Sequence, residues 1–353
     1  MNKSCLSHLW PGVALALGSA LLFGGMVPLS KLLLGQVDPQ LLAGLLYFGA
    51  GFGLAVVHGA RNLFAVPAPE APLRRSDMLW LAAVVLFGGV LGPVLLMLGL
   101  TLTAAASGSL LLNLEGIATM AIAWLVFREN VDRKLLLGAG AIILGAVILS
   151  WKGQGISVDL GAAFIATACL CWGIDNNLTR KLASADPVQI ALVKGLAASA
   201  VNITIALLRG AGLPSITIAS AAAALGFFGV GVSLVLFVLA LRHLGTARTG
   251  AYFALAPFIG AVVAIGLLHE PATVQIVLAG LLMGLGLWLH LAERHAHDHQ
   301  HEALEHEHSH IHDAHHQHSH DGPITGPHSH RHRHAPLRHS HPHYPDLHHR
   351  HEH

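Results

Sequence analysis

The chain has 353 residues, of which 54% are hydrophobic and 11% are Asp, Glu, Lys or Arg. Soluble domains carry roughly 25% charged residues, so this composition argues against a soluble protein. A formal net charge of +1 gives no indication of a nucleic-acid partner. Apolar runs of about 20 residues recur, each long enough to cross a bilayer as a helix. The composition therefore predicts an all-α integral membrane protein whose main partner is the lipid bilayer.

Ten apolar stretches follow one another along the chain. We place them near residues 12–34, 39–59, 78–100, 104–127, 134–151, 158–180, 187–208, 219–241, 247–268 and 272–293. Apolar residues continue from the N-terminus to Leu34, well beyond the short core of a signal peptide. We therefore expect the first stretch to remain as an uncleaved membrane span.

The two halves of the chain repeat one pattern. Asp38-Pro39 begins the second span and Asp186-Pro187 begins the seventh. Both pairs suit a helix start, because Asp caps free backbone N–H groups and Pro fits the first helical position. Five spans per half is an odd number, so the halves must be inverted relative to each other, as in many secondary transporters. We expect a cytoplasmic N-terminus (1–11), two five-helix repeats (12–152 and 153–294) and a C-terminal tail (295–353).

Basic residues indicate the orientation of the spans. With the N-terminus inside, the predicted inner segments hold most of the Lys and Arg outside the tail, and the outer loops hold only Lys31, Lys152 and Arg209. An excess of Lys and Arg on the cytoplasmic side is usual. We therefore expect a multi-pass plasma membrane protein, of a bacterial inner membrane, with both termini in the cytoplasm. Small-residue pairs such as Gly49 and Gly53 suit close packing, within one subunit or in a homodimer.

Several residues of the second half carry a family resemblance. The sequence ALRHLGTA at 240–247 is followed by an apolar helix that contains Ala256-Pro257 and ends at Glu270. Together with the ten spans in two halves, this resembles the drug/metabolite transporter superfamily, and both halves are similar to EamA domains. The resemblance implies a compact ten-helix carrier, not an enzyme, with a central cavity and alternating access. It leaves the substrate open.

The first half departs from the family pattern. It has Glu115-Gly116 at the register of Ala256-Pro257, so we expect the fourth span to have lost the proline kink and gained an acid near the membrane midplane. An intramembrane charge costs ~2.5–3.5 kcal/mol on insertion scales and usually faces a cavity or a partner. Glu115 is therefore the first candidate for binding a cationic group or a coupled proton.

Other polar residues within the spans complete the candidate site. We expect Lys194 to pair with Glu115 or to hold a substrate carboxylate, while Asp175, Asn176 and Asn177 offer oxygens and amides within one turn. In the structural interpretation, Glu115 and Lys194 form a buried pair and the Asp-Asn-Asn run caps a broken sixth helix. No catalytic residue is predicted. The candidate substrate- or proton-binding residues are Glu115, Asp175, Asn176, Asn177, Lys194 and Asn113.

The tail after residue 294 has a different composition. It holds 23 of the 28 histidines and no periodic apolar face, so we expect it to be disordered. Neutral imidazole binds Ni, Zn, Co and Cu, so we expect non-specific metal binding there, although no cofactor is required. The candidate metal ligands are His295, His297, His299, His301, His306, His308, His310, His312, His315, His316, His318 and His320.

Two kinds of function remain open. The first is a secondary, non-ATP carrier of a small metabolite or drug-like solute, with proton coupling through Glu115. The second is a divalent transition-metal transporter, or a metal-sensing or metal-buffering membrane protein, with the tail as its cytoplasmic metal-binding segment. The predicted membrane core has few acids and no His or Met cluster, which makes it a poor path for a soft metal. The sequence therefore favours the organic solute.

Overall fold

The structure, a computed structural model, describes residues 3–63, 73, 77–127, 131–151, 159–179, 182, 186–244, 246–291, 296–301, 305–310, 328–333 and 337–342. The helices of the first half are α1 (Lys3–Leu34), α2 (Pro39–Leu63), α3 (Met78–Val84), α4 (Gly92–Leu102), α5 (Ala105–Leu111), α6 (Leu114–Phe127) and α7 (Arg133–Ser150). Those of the second half are α8 (Leu160–Thr179), α9 (Pro187–Leu208), α10 (Ile216–Gly226), α11 (Ser233–Leu244), α12 (Thr246–Phe253), α13 (Ala256–Leu267) and α14 (Val274–Leu291).

All ten predicted spans contain helix, and four of them are interrupted. A π-helical segment, Val85–Leu91, joins α3 to α4 in the third span, and a second one, Phe227–Val232, joins α10 to α11 in the eighth. The fourth span is divided into α5 and α6, and the ninth into α12 and α13, each by a two-residue turn. The interruptions fall at matching positions of the two halves, as expected from repetition of one five-helix unit.

Nine helical stretches in the described part of the chain are long and apolar enough to cross a membrane. The predicted sixth span, α8, is not among them. Its 20 residues reach about 30 Å, which is sufficient, but its last turn holds Asp175, Asn176 and Asn177. Since α8 packs against both α4 and α6, these polar groups can face protein instead of lipid.

Helix contacts also repeat between the halves. Helix α1 packs against α11 and α13, and its counterpart α8 packs against α4 and α6. The equivalent helices α2 and α9 contact each other, as do α7 and α14. The carboxylate of Asp38 accepts from the backbone N–H of Gln40 at 2.9 Å, and that of Asp186 from Val188 at 2.8 Å. Both predicted Asp-Pro helix starts are therefore confirmed.

Glycines allow the two halves to approach closely between α2 and α10. A Cβ atom on Gly49 would lie 1.8 Å from the carbonyl oxygen of Ala223, and one on Gly226 would lie 1.9 Å from that of Leu46. The two backbones therefore pack directly against each other. Around this contact the bundle has an apolar core, whose largest fully buried side chains include Leu41, Leu42, Leu96, Met97, Leu100, Leu111 and Ile165.

One residue from each half stabilises the corner between α4 and α5. The Glu270 carboxylate accepts hydrogen bonds from the backbone N–H groups of Ala105 and Ala106, both at 2.7 Å. The Lys31 ammonium donates to the carbonyl of Thr103 at 2.9 Å. A helix start attracts anions and a helix end attracts cations, so both charges are favourably placed. The corner thus joins the halves at one end of the bundle.

Four short strands are described in the tail: β1 (Ala296–His301), β2 (Glu305–His310), β3 (His328–Arg333) and β4 (Leu337–Pro342). β1 pairs with β4 and β2 with β3, both antiparallel. We expected disorder in the tail, and these four segments are strands instead. A strand ladder needs only backbone partners, so it does not require an apolar face. An isolated two-stranded pair is marginally stable at best. His297, His299, His301, His306, His308 and His310 lie in the strands. His295, His312, His315, His316, His318 and His320 lie outside the described residues.

Candidate functional site

Glu115 lies at the break in the fourth span. The turn at Leu112 and Asn113 separates α5 from α6, and Glu115 is in the first turn of α6. We expected the loss of proline to remove the kink, and that expectation is wrong, because this turn matches the one that precedes Ala256 in the ninth span. The free N–H groups at the start of a half-helix favour a negative charge, which helps to explain how an acid is accommodated inside the span.

Two side chains stabilise the break itself. The thiol of Cys169 donates to the carbonyl oxygen of Leu111 at 3.7 Å, and the Asn113 amide donates to that of Leu110 at 2.8 Å. The same amide nitrogen lies 3.9 Å from the sulfur of Met283 in α14. The structure thus places Asn113 on local backbone and against α14, where its amide adds a second hydrogen bond to a carbonyl that already accepts the Asn113 backbone N–H at 3.1 Å.

The Glu115 carboxylate receives its hydrogen bond from α8. The Asn176 amide donates to Glu115 Oε1 at 3.0 Å and to Thr119 Oγ1 at 3.2 Å. The Thr119 hydroxyl donates to the backbone carbonyl of Glu115 at 2.9 Å. Thr119 was not among the predicted residues, although its spacing of four residues from Glu115 places both on one helix face. Asn176 is exposed and Glu115 is partly exposed, so this group is accessible.

Lys194 pairs with Asp175, not with Glu115. Its ammonium contacts Asp175 Oδ2, and the Thr179 hydroxyl donates to Asp175 Oδ1 at 3.3 Å. The side chains of Asp175 and Lys194 are 6% and 19% exposed, so the pair is largely buried. The expected Glu115–Lys194 pair is therefore wrong. Sequence position alone did not show that α9 turns Lys194 toward the end of α8.

Asn177 connects α8 to α6 through backbone. Its amide donates to the carbonyl oxygens of Thr119 at 3.1 Å and Gly173 at 2.8 Å, and the residue is 2% exposed. The structure thus brings Asn177 into the same region as Glu115, in a position that holds the two helices together. Of the six predicted residues, Asn113 differs from the others because its side chain contacts α14.

The π-helical segment of the third span supports the charged pair. The carbonyl oxygen of Gly88 accepts from the Tyr47 hydroxyl at 2.8 Å and from Trp172 Nε1 at 3.1 Å. A Cβ on Gly88 would lie 2.1 Å from Asp175 Oδ2 and 2.6 Å from Lys194 Nζ. π-Helical turns free carbonyl groups and often occur at functional sites. Tyr47 and Trp172 were missed in the sequence, where nothing marks them as partners of Gly88.

We expect Gly88→Ala to separate the Asp175–Lys194 pair or displace the third span, because the new methyl group overlaps both charged atoms. Transport should fall by at least about tenfold, equivalent to about 1.4 kcal/mol, with a lower melting temperature in detergent. Gly25→Ala is the matched control, since a Cβ there has no atom within 4 Å. Equal transport by the two variants would show that the close contact at Gly88 is unimportant.

The position related to this site by the inverted repeat is apolar. At the positions that match Asp175 and Lys194, α1 and α2 carry Val27 and Leu46, and the match of Glu115 is Ala256. Val27 is 1% exposed, Leu46 2% and Ala256 1%. The polar groups, which come from both halves, therefore occupy one of two symmetry-related positions, and their counterparts at the other are packed inside the bundle.

Metal ligands do not gather in the helical bundle. Among the side chains that the structure describes, no three of His, Cys, Asp and Glu are close enough to hold a metal ion. Cys169 and Cys171 are both buried and free. The helical part of the chain therefore offers a polar site of carboxylate, amide and hydroxyl groups, suited to hydrogen bonding and to a cation.

Comparison with known proteins gives a family match to each half of the helical bundle. The EamA-like transporter family matches residues 10–151 and 159–292. An uncharacterized transporter of Methanothermobacter thermautotrophicus is 28% identical over 299 residues, covering 80% of this chain and 87% of its own. The uncharacterized transporter YyaM of Bacillus subtilis is 22% identical over 282 residues, covering 76% of this chain and 90% of its own.

One crystal structure of a protein shares the fold, with a TM-score of 0.56 and 18% identity over 79% of this chain and 96% of the other. At that identity the likeness concerns the fold alone. The family match, by contrast, covers both halves of the helical bundle. The chain therefore belongs to the EamA-like transporter family and is a multi-pass membrane transporter.

Proposed function

We propose that this transporter is a secondary carrier of a small organic solute and that Glu115 binds either a cationic group of that solute or a coupled proton. One observation carries the proposal. The Glu115 carboxylate lies inside a span, is partly exposed, and among the described residues has an amide as its side-chain partner and no cation. An intramembrane acid in that state has unused capacity for a positive charge.

The arrangement of the spans supports alternating access. The proposed site lies where helices of both halves meet, since α6 contributes Glu115 and α8 contributes Asn176. Inverted repeats commonly carry their substrate at this interface, next to the ends of broken helices. The breaks in the fourth and ninth spans and the π segments in the third and eighth are suitable hinges. The chain would act in a bacterial inner membrane with both termini in the cytoplasm.

A second candidate is transport or buffering of a divalent transition metal. The 23 histidines after residue 294 favour it, because clustered neutral imidazoles bind Ni, Zn, Co and Cu. The described helical residues favour the organic solute instead, because they provide no group of three metal ligands. In the first proposal the tail holds metal without contributing to the transport site.

In the first step of the experiment, small metabolites and metals are profiled together in cells that contain the protein and in cells that lack it. The solute that differs most is then tested in vesicles that contain the purified full-length protein, with and without a pH gradient. We expect an organic solute whose accumulation responds to the gradient. Replacing the 23 tail histidines with Asn should leave that transport unchanged. A metal as the sole difference, abolished by the Asn replacements, would support the second candidate and contradict the first.

A further inference from the structure

Three charged side chains lie at the proposed site among the described residues: Glu115, Asp175 and Lys194. Asp175 and Lys194 form an ion pair, so their charges cancel. The Asn176 amide that contacts Glu115 is neutral. Lys31 and Glu270, two other charged residues of the described helical bundle, are held at the α4–α5 corner by helix ends. The described side chains of the site therefore carry one net negative charge when Glu115 is ionised.

We propose that this charge balance makes the carrier selective for solutes with a single positive charge. Asp175 and Lys194 determine that selectivity through the net charge of the site, without binding the solute directly. The inference rests on the proposed role of Glu115. It adds the class of substrate, a monovalent organic cation such as a primary amine, and it excludes doubly charged cations and zwitterions as preferred ligands.

The reason is the cost of an uncompensated charge away from water. A monovalent cation beside Glu115 leaves the site neutral. A divalent cation leaves one positive charge without a partner, and a zwitterion brings a carboxylate next to an existing carboxylate. Each of the last two complexes contains a charge without a partner, which is unfavourable inside a membrane span. The preferred solute is the one that neutralises the site.

Lys194 is not free to accept a solute carboxylate. Its ammonium contacts Asp175, whose second oxygen accepts from the Thr179 hydroxyl at 3.3 Å. The backbone of Gly88 closes one side of the pair, because even a methyl group there would overlap both charged atoms. A carboxylate at Lys194 would therefore share the ammonium with the Asp175 carboxylate, and the two like charges would repel each other.

Four-carbon compounds of different charge test the proposal. Binding of butylamine, 1,4-diaminobutane and 4-aminobutanoate to the purified full-length protein is measured by titration calorimetry at neutral pH. The wild type should bind butylamine at least about tenfold more tightly than either of the others. Asp175→Asn raises the net charge to zero and should favour 4-aminobutanoate. Lys194→Gln lowers it to −2 and should favour 1,4-diaminobutane.

The double variant Asp175→Asn/Lys194→Gln is the decisive control. It removes both charges but keeps the net charge at −1, so it should restore the wild-type order of binding even if a single variant is unstable. The proposal is overturned if the wild type binds none of the three compounds, prefers one of the other two, or keeps its order in both single variants. Those results would leave the role of Glu115 standing if Glu115→Gln still abolished transport, so the two proposals fail separately.

Discussion

Glu115→Gln should abolish transport while the protein remains folded in the membrane. Gln has nearly the same size as Glu and can still accept the hydrogen bond from Asn176, so the break in the fourth span should persist. Only the charge is lost, and with it the capacity to hold a cation or a proton. We expect the uptake rate to fall by at least about tenfold, the equivalent of 1.4 kcal/mol of lost interaction, in vesicles that contain equal amounts of protein.

Two controls separate this effect from a general loss of fold. Glu70→Gln makes the same chemical change in the polar connection between the second and third spans and should transport as the wild type does. Glu115→Asp keeps the charge and should retain part of the activity, with a weaker apparent affinity because the carboxylate is drawn back toward α6. Normal transport by Glu115→Gln, at matched protein levels, would remove Glu115 from the site.

Lys194→Gln should destabilise the protein by about 3–5 kcal/mol, the usual cost of removing one partner of a buried ion pair. Asp175, 6% exposed, is left with a hydroxyl hydrogen bond and with no cation among the described residues. The change should appear as a lower midpoint in thermal or denaturant unfolding of the detergent-solubilised protein. Lys194→Arg should be almost as harmful, since the guanidinium is larger and the space beside Gly88 is limited: a Cβ there would lie 2.6 Å from Lys194 Nζ.

Adding Asp175→Asn to Lys194→Gln should recover most of the lost stability. Two neutral amides have no uncompensated charge, and replacement of a whole buried pair is often nearly neutral. A single Lys194→Gln variant as stable as the wild type would mean that Asp175 reaches water or another cation when the pair is broken, and that the pair is not a structural contact between α8 and α9.

Much of the architecture was predictable, because it depends on local properties. The Asp38 and Asp186 helix starts follow from the capping preferences of Asp and Pro, and the order of spans follows from apolar length. The interruptions of the third and eighth spans were not predicted. A π segment such as Val85–Leu91 has about one additional residue per turn, and a glycine-containing apolar run gives no sequence signal for that change.

The site was predictable only in part. Glu115 and Asp175 attract notice because charges are rare in membrane helices. The pairing of Lys194 depends on the rotation of α9 about its axis, which is decided by packing against α2 and the π segment and not by the residues near Lys194. The same applies to Thr119, whose hydroxyl becomes part of the site only because α8 brings Asn176 within 3.2 Å.

The apolar counterparts Val27, Leu46 and Ala256 have a consequence for how such a carrier can be built. A bundle made from two copies of the first half would carry a second acid on its axis, and two like charges would have to be separated or neutralised within one cavity. With apolar residues at these counterpart positions, which are buried, one of the two symmetry-related positions is filled by packing and the other makes the polar contacts. Duplication followed by divergence thus allows a symmetric scaffold to hold a single charged solute.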